Sequence, residues 1–342
     1  MHRVVDDRRR TLLKLTGLLG IAALSPFIPH QEHAEALWFN RRKHKLSRTR
    51  LTMGTFVAIT VIHPSKDEAE EAIELAFEEI ERLAFLLSRH DPDSPVSELN
   101  RTGTLSDIPV EVHEVVARAR YFYQHTGGVF DISVKPLMDL YQRSFASGSK
   151  PGDGDIERVL HRIGGADIGL DESRIWFRRT DMGITLDGIA KGYIVDRASR
   201  LMTKNGIVDH LINAGGDIRT SGAAAGGKRW TIAIQDPEKK REFPDIIEMA
   251  DGAIATSGNY EIFYDTEKMF HHIIDPRTGR SPNHSSSVTV TAPTVMDADA
   301  LATALFVLAP DEGRGLIETR PGNECFIIDS DGAVTRSSGW LS

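Results

Sequence analysis

The sequence predicts an α+β fold built as one continuous domain. Three observations carry that expectation. Strand-like and amphipathic helical stretches are interspersed without a regular βαβ rhythm, which disfavours a doubly wound sheet. No repeat of 20–50 residues is present, which excludes a solenoid or propeller. The 342 residues are 40% hydrophobic and 26% charged, the composition of an ordinary globular chain able to bury a core of its own.

The elements follow in order. Leu51 to Ile62 alternates and is rich in Thr, Val and Ile, so it reads as a strand. From Asp67 to Arg89 the apolar residues Ile73, Ala76, Phe77, Ile80, Leu83, Ala84 and Leu87 recur at helical spacing, which predicts a long amphipathic helix. Residues 91–109, rich in Asp, Pro, Ser, Asn and Gly, read as loop. A second helix is expected from Val112 to Gln124, stopped by Gly127-Gly128, and a further loop over 144–155. Strand patterns at Arg174–Arg178 and Gly183–Leu186 precede a helix from Gly188 to Lys204 closed by Gly206. Strands are expected at Asp209–Asn213, Trp230–Gln235, Ala253–Thr256 and Ser287–Ala292. A helix from Asp297 to Leu308, a short one after Asp311 and a strand pair around Phe326–Val334 complete the chain.

Counts narrow the function classes. A single cysteine, Cys325, excludes an intramolecular disulfide framework and any multi-cysteine zinc or iron–sulfur site. The net charge of −8 argues against a nucleic-acid partner, which would call for a basic excess or stripe. At the N-terminus, Arg8-Arg9-Arg10-Thr11-Leu12-Leu13-Lys14 precedes an apolar run from Leu15 to Leu24 and then Ala34-Glu35-Ala36. A charged region, a short apolar run and an A-x-A site make an export signal, and the paired arginines mark the twin-arginine route. The run is too short and too rich in Gly and Ala to span comfortably as a mature helix, and no Cys follows it to carry a lipid anchor. The expected organisation is therefore a signal over 1–36, a linker over 37–49 and a domain over 50–342, with the product in the periplasm. Membrane contact would come only through a retained signal.

Several segments carry groups suited to chemistry. Asp299 and Thr303 stand four apart in Asp297-Ala-Asp-Ala-Leu-Ala-Thr303, so both oxygens face one side of a helix. A carboxylate and a hydroxyl, completed by backbone carbonyls and water, suit a hard cation such as Mg²⁺. The alternative is that Asp297 or Asp299 caps the helix. Asp187-Gly-Ile-Ala-Lys191 opens a helix whose free N–H groups and lysine would attract phosphate, although surface lysines are commonly just solvated. Asn213-Ala-Gly-Gly-Asp217 follows a strand and can present N–H groups to an anion, or simply turn. Thr126-Gly-Gly-Val-Phe-Asp131 ends a helix. His271-His272-Ile-Ile-Asp275 precedes a Pro/Gly turn and offers too few ligands for a transition metal. Cys325 sits in Cys-Phe-Ile-Ile and reads as core.

Taken in order, these segments resemble the ApbE family, the periplasmic FAD:protein FMN transferases. The resemblance rests on Met53-Gly-Thr, Ser88-Arg-His-Asp-Pro-Asp-Ser, Thr126-Gly-Gly-Val-Phe-Asp, Gly188-Ile-Ala-Lys-Gly-Tyr and Asn213-Ala-Gly-Gly-Asp-Ile. It continues through Ala255-Thr-Ser-Gly, His272-Ile-Ile-Asp-Pro-Arg-Thr-Gly and Ala298-Asp-Ala-Leu-Ala-Thr-Ala, so it spans roughly residues 50 to 330. Their colinearity is far more specific than any one of them. The resemblance implies mixed or antiparallel sheets packed by helices, FAD as substrate and Mg²⁺ as cofactor. FMN would pass to a Thr or Ser hydroxyl of a partner protein as a phosphoester, and AMP would leave. Asp299 and Thr303 would ligate Mg²⁺ by side chain and Gly188 by its carbonyl. Met53, His90, Val129, Phe130, Asp131, Thr185, Asp187, Gly188, Lys191 and a His272–Ile273 strand would line the FAD site. His272 is the candidate base, because an imidazole titrates near operating pH, with Asp275 and Asp299 as competitors.

Two departures from the family pattern stand out. His90 occupies a position where an aromatic ring is usual. The usual Asp-Leu-Gly-Gly reads Thr185-Leu-Asp187-Gly188, so either Asp187 takes over the missing carboxylate's work or that contact is lost. Two other activities use the same residues: a Mg²⁺-dependent FAD pyrophosphatase with water as nucleophile, and a non-catalytic FAD-binding protein. The resemblance places the acceptor among respiratory electron-transport subunits or flavin-bearing regulators of nitrous-oxide respiration.

Overall fold

In the computed structural model, residues 43–237, 243–259 and 271–340 are described. The expected signal over 1–36 lies outside them. The chain enters as a hairpin, β1 (His44–Thr52) and β2 (Thr55–His63), closed by Met53 and Gly54 at φ +53° and +72°. Two consecutive left-handed residues make the two-residue turn whose twist matches the strands. The expected single strand from Leu51 is thus two, and residues 44–49 are strand rather than linker. A methionine at positive φ is not a usual turn signal, which is why the alternation read straight through it.

Helix α1 (Lys66–Leu87) lies where the apolar periodicity placed it. The Ser65 side chain accepts the Glu68 N–H, Asp67 and Glu68 favour the positive end, and Ala69, Ile73, Ala76, Phe77, Ile80 and Leu83 are buried. The expected loop over 91–109 instead holds α2 (Pro95–Thr102), capped by Ser94 with Pro95 in its first turn, and β3 (Thr104–Ser106). The Pro-Asp-Ser cluster that reads as loop is here a helix start. Helix α3 (Val110–His125) ends at Thr126-Gly127-Gly128, where the Gly128 N–H donates to Tyr123 O. Helices α4 (Lys135–Ala146) and α5 (Asp153–Leu160) border the loop expected over 144–155, and were not anticipated. Then come β4 (Ile168–Leu170) and β5 (Arg174–Phe177). The stretch 183–186, expected as a strand, has no strand partner.

Beyond it, α6 (Ala190–Lys204) leads into β6 (His210–Ala214), β7 (Asp217–Ser221), β8 (Trp230–Ile234), β9 (Asp245–Met249), β10 (Gly252–Gly258) and β11 (Ser285–Ala292). Helices α7 (Val295–Val307) and α8 (Pro310–Glu318) and strands β12 (Glu324–Asp329) and β13 (Val334–Arg336) finish the described chain. Eight strands form one sheet in the order β1-β2-β6-β7-β10-β11-β12-β13, and β3-β5-β4 and β8-β9 form two smaller ones. All strand pairs are antiparallel.

Helices α1, α6 and α7 cover one face of the large sheet and enclose the main core. On the opposite face the β8–β9 hairpin closes a second core around Ile218, Ile254, Phe326 and Trp340. Cys325 points into the main core, and burial pushes its thiol up to about 11. Among the described residues no helix is long and apolar enough to cross a membrane. The mixture of helices with antiparallel sheets is the α+β class expected from the sequence.

Candidate functional site

The site grows from the crossing of α6 and α7. Gly192 permits that crossing: a Cβ there would stand 2.4 Å from the Val295 carbonyl oxygen and 2.7 Å from Met296 Cα. With backbones this close, the Gly192 N–H reaches across and donates to Asp299 Oδ2 at 3.1 Å. Asp299 is buried, yet it does not cap its helix. Thr294 does, by accepting the Asp297 N–H at 3.1 Å, while Asp297 forms a paired bridge to Arg118 on α3 at 2.7 Å per bond. Asp196 on α6 accepts the Met296 N–H at 3.0 Å, and burial raises its pKa. The first turn of α7 is therefore held by residues other than Asp299.

Thr303 lies one turn beyond Asp299, with its hydroxyl 3.4 Å from Ser257 Oγ on β10. Gly188 presses against it: a Cβ at 188 would come within 2.9 Å of Thr303 Oγ1. So Asp299, Thr303 and the Gly188 backbone, 111 positions before Asp299 in the chain, meet in one place. One carboxylate, one hydroxyl and backbone oxygen are the donors that a hard cation takes, and the contact leaves space only for a residue without a side chain. These residues fit the expected Mg²⁺ set. Among the described residues, no three His, Cys, Asp or Glu side chains cluster as metal ligands.

Lys191, in the first turn of α6, stands 3.3 Å from Asp217 Oδ2, which is 1% exposed on β7. Asp217 closes the Asn213-Ala-Gly-Gly turn, in which Gly215 and Gly216 take positive φ and Asn213 Oδ1 accepts the Gly216 N–H at 3.0 Å. A Cβ on Gly215 would strike Thr55 Oγ1 at 2.4 Å, which brings this turn beside the Met53 hairpin. The expectation of free N–H groups at the start of α6 is corrected. Ile189 and Ala190 donate to Leu186 O at 3.0 and 2.8 Å, and Gly192 donates to Asp299. Three of its amides are thus taken, and Lys191 brings positive charge to this helix end.

The segment before Gly188 is fixed without a sheet. Asn100 on α2 accepts the Ile184 N–H at 2.6 Å and donates to Ile184 O at 2.9 Å, taking the place of a neighbouring strand. The Thr185 N–H donates to Ile132 O, and Asp187 pairs with Arg89 at 2.9 Å. Asn100 and Arg89 carry no ligand-type signal in sequence, because their partners are 84 and 98 positions away.

The other expected residues are distributed unevenly. Val129 and Phe130 are buried in the main core, Phe130 edge-on to Phe122, so only their backbone can face a ligand. The Asp131 carboxylate is occupied by the Ser133 N–H and hydroxyl and the Gly165 N–H at 2.7–2.9 Å, and burial raises its pKa. His90 is exposed just past α1, Met53 is half-buried at the hairpin turn, and Ile273 is buried. The two histidines divide. His271 is fully buried, with Nε2 2.8 Å from Pro282 O and its ring edge-on to Phe306, while His272 is half-buried. His272 lies in a bend and Ile273 in irregular chain rather than in the expected strand. The Asp275 carboxylate is taken by Arg277 at 2.9 and 3.0 Å, so this competitor for the role of base serves the turn.

The ApbE family model matches residues 53–327. A Treponema pallidum protein named FAD:protein FMN transferase is 30% identical over 87% of this chain and 88% of its own length. An Escherichia coli protein of the same name is 29% identical, covering 85% of each. Among solved structures, the ApbE protein of Thermotoga maritima superposes with a TM-score of 0.78 at 30% identity, over 86% of this chain and 97% of that one. The flavin transferase ApbE of Vibrio cholerae does so with a TM-score of 0.73 at 28% identity, over 86% and 98%. Matched over residues 53–327 in sequence and over 86% of its length in fold, the chain belongs to the ApbE family.

Proposed function

We propose that this chain is a Mg²⁺-dependent FAD:protein FMN transferase of the periplasm. It would move FMN from FAD to a Thr or Ser hydroxyl of an acceptor protein and release AMP. The observation that carries the reading is the convergence of Asp299, Thr303 and Gly188 beside Lys191, within a chain whose relatives bear that name.

The transfer joins the acceptor oxygen to the FMN phosphorus and breaks the bond from that phosphorus to the bridging oxygen. AMP keeps the bridging oxygen and its charge, and the acceptor's proton goes to a base. Asp299, Thr303 and the Gly188 carbonyl would hold Mg²⁺, which would supply neutralisation of charge on the pyrophosphate and the leaving AMP. Lys191 adds a fixed positive charge for the phosphates, and Asp217 beneath it holds its ammonium in place. His272 is the base we favour: it is half-buried, whereas His271 is enclosed and Asp275 is bound to Arg277. The buried Val129–Phe130 pair supports a firm wall whose backbone meets the flavin.

The acceptor is a protein exposed to the periplasm, of the respiratory electron-transport or nitrous-oxide regulator kind. No nucleic acid takes part. Export by the twin-arginine route is supported by Arg9-Arg10 and the apolar run after them. Replacing both arginines with lysine should strand the precursor in the cytoplasm, as read by fractionation, and continued export would refute the route.

Purified chain, FAD, Mg²⁺ and a flavin-acceptor domain should yield an acceptor heavier by one FMN in intact-mass measurement. Equimolar AMP should appear, and chelation should stop the reaction. FMN and AMP released without acceptor would instead identify the hydrolytic pyrophosphatase. Intact FAD after long incubation would leave a binding protein.

A further inference from the structure

The strap from Ile184 to Ala190 carries Gly188 and leads into Lys191 while belonging to no strand, so side chains share in holding it. Asn100 anchors its start and Leu186 O anchors its end through Ile189 and Ala190. Between them, the Asp187 N–H donates to Thr185 Oγ1 at 3.2 Å, while its carboxylate leaves the strap to meet Arg89 Nε at 2.9 Å.

Arg89 is the better fixed of the two partners. It follows the last turn of α1, where Ser88 Oγ accepts the His90 and Asp91 N–H groups at 3.0 and 3.3 Å. Ser94, the cap of α2, donates its hydroxyl back to Ser88 O. The Arg89 side chain is 13% exposed against 43% for Asp187, so the guanidinium is packed into the body while the carboxylate belongs to the rim. A fixed cation gripping a rim carboxylate restrains the backbone next to that carboxylate, and here the next residue is Gly188.

We infer that Asp187, held by Arg89, is a positioning residue that fixes the Gly188 carbonyl for the cation, and that it contacts neither FAD nor the metal itself. This rests on the function proposed above. It also answers the departure at this motif: with threonine at 185, the carboxylate two places on works through Arg89 instead of as a ligand. Partners beyond a metal's own ligands typically change affinity by roughly 10–100-fold when lost. A partly exposed ion pair adds little to overall stability, so the effect should be local.

The test uses the full domain with Arg89→Ala, Asp187→Asn and the reversed pair Arg89→Asp/Asp187→Arg. Amide exchange at Ile189 and Ala190 is measured in protein without FAD, and half-saturating Mg²⁺ is measured for FAD binding and for FMN transfer. Each single variant should exchange those amides faster and need roughly tenfold more Mg²⁺ or above, with the unfolding midpoint nearly unchanged. The reversed pair should recover most of both. Single variants with wild-type exchange and Mg²⁺ requirement would overturn the inference, as would a reversed pair no better than either single. If the unaltered chain transfers no FMN, the proposed function fails alone, while exchange and Mg²⁺-dependent FAD binding still decide the role of Asp187.

Discussion

Asp299 and Gly192 meet across a helix crossing so close that the carboxylate of one takes the backbone N–H of the other at 3.1 Å. The same contact brings the expected metal carboxylate to the beginning of the helix that carries Lys191. Gly192→Ala tests it. In an isolated helix this change would be stabilising by about 1 kcal/mol, but here the methyl would meet the Val295 carbonyl and Met296 Cα. Backbone cannot yield as a side chain can, so a loss of about 1–3 kcal/mol is expected in denaturant unfolding. Unchanged stability would show that the helices separate freely.

Asp299→Ala should abolish FMN transfer. Because Thr294 caps α7 and Asp297 is bound to Arg118, helix α7 should remain folded. The cost is the buried Gly192 N–H left without its acceptor, about 1–3 kcal/mol. Circular dichroism should stay near wild type while turnover disappears. Retained transfer with normal Mg²⁺ dependence would remove Asp299 from the site.

Asn100→Ala should loosen the strap from a distance. Both polar backbone atoms of the fully buried Ile184 lose their partner, at about 1–3 kcal/mol for each group left unsatisfied. Denaturant unfolding should show the loss, and amide exchange should locate it at Ile184 and the residues after it. Exchange that rises uniformly over the domain would argue against a local clamp.

His210 should make the fold sensitive to acid. Burial holds its pKa down at about 4, with nearby Arg219 lowering it further and the Ile207 carbonyl and Asp209 opposing. Its Nδ1 faces Ile207 O at 3.0 Å, so that nitrogen carries the proton and Nε2 accepts the Ser199 hydroxyl at 2.7 Å. Below the ordinary histidine value of 6.5 the unfolded chain binds a proton that the folded chain refuses. Stability from this group is complete above that value and falls as pH drops toward about 4, by on the order of 3 kcal/mol. Unfolding titrations at successive pH values should show this slope in the wild type and a shallower one in His210→Gln. Equal slopes would assign the acid sensitivity elsewhere.

Legibility in the sequence followed the range of the interactions. Helix α1 was readable because its apolar residues repeat within one element and Ser65 caps it locally. The Asp299–Thr303 pair was readable because four positions on a helix set its geometry. The hairpin at Met53 was not, since its turn uses a methionine at positive φ, and α2 was hidden by cap residues that also make loops. The segment 183–186 has strand-like composition but pairs with the Asn100 side chain instead of another strand.

By itself the sequence determined the α+β class, the principal amphipathic elements, the set of motifs and the two unusual residues at 185 and 187. Each of these depends on residue type and on spacing within a few turns of chain. Only the tertiary structure decided what each acidic side chain is engaged with. It drew Asp131, Asp275 and Asp297 into hydrogen bonds and ion pairs, enclosed His271, and set Asp299 against the Gly192 N–H with Thr303 against Gly188. The reason is that a carboxylate's role depends on its partners and its burial, and here most of those partners lie far along the chain.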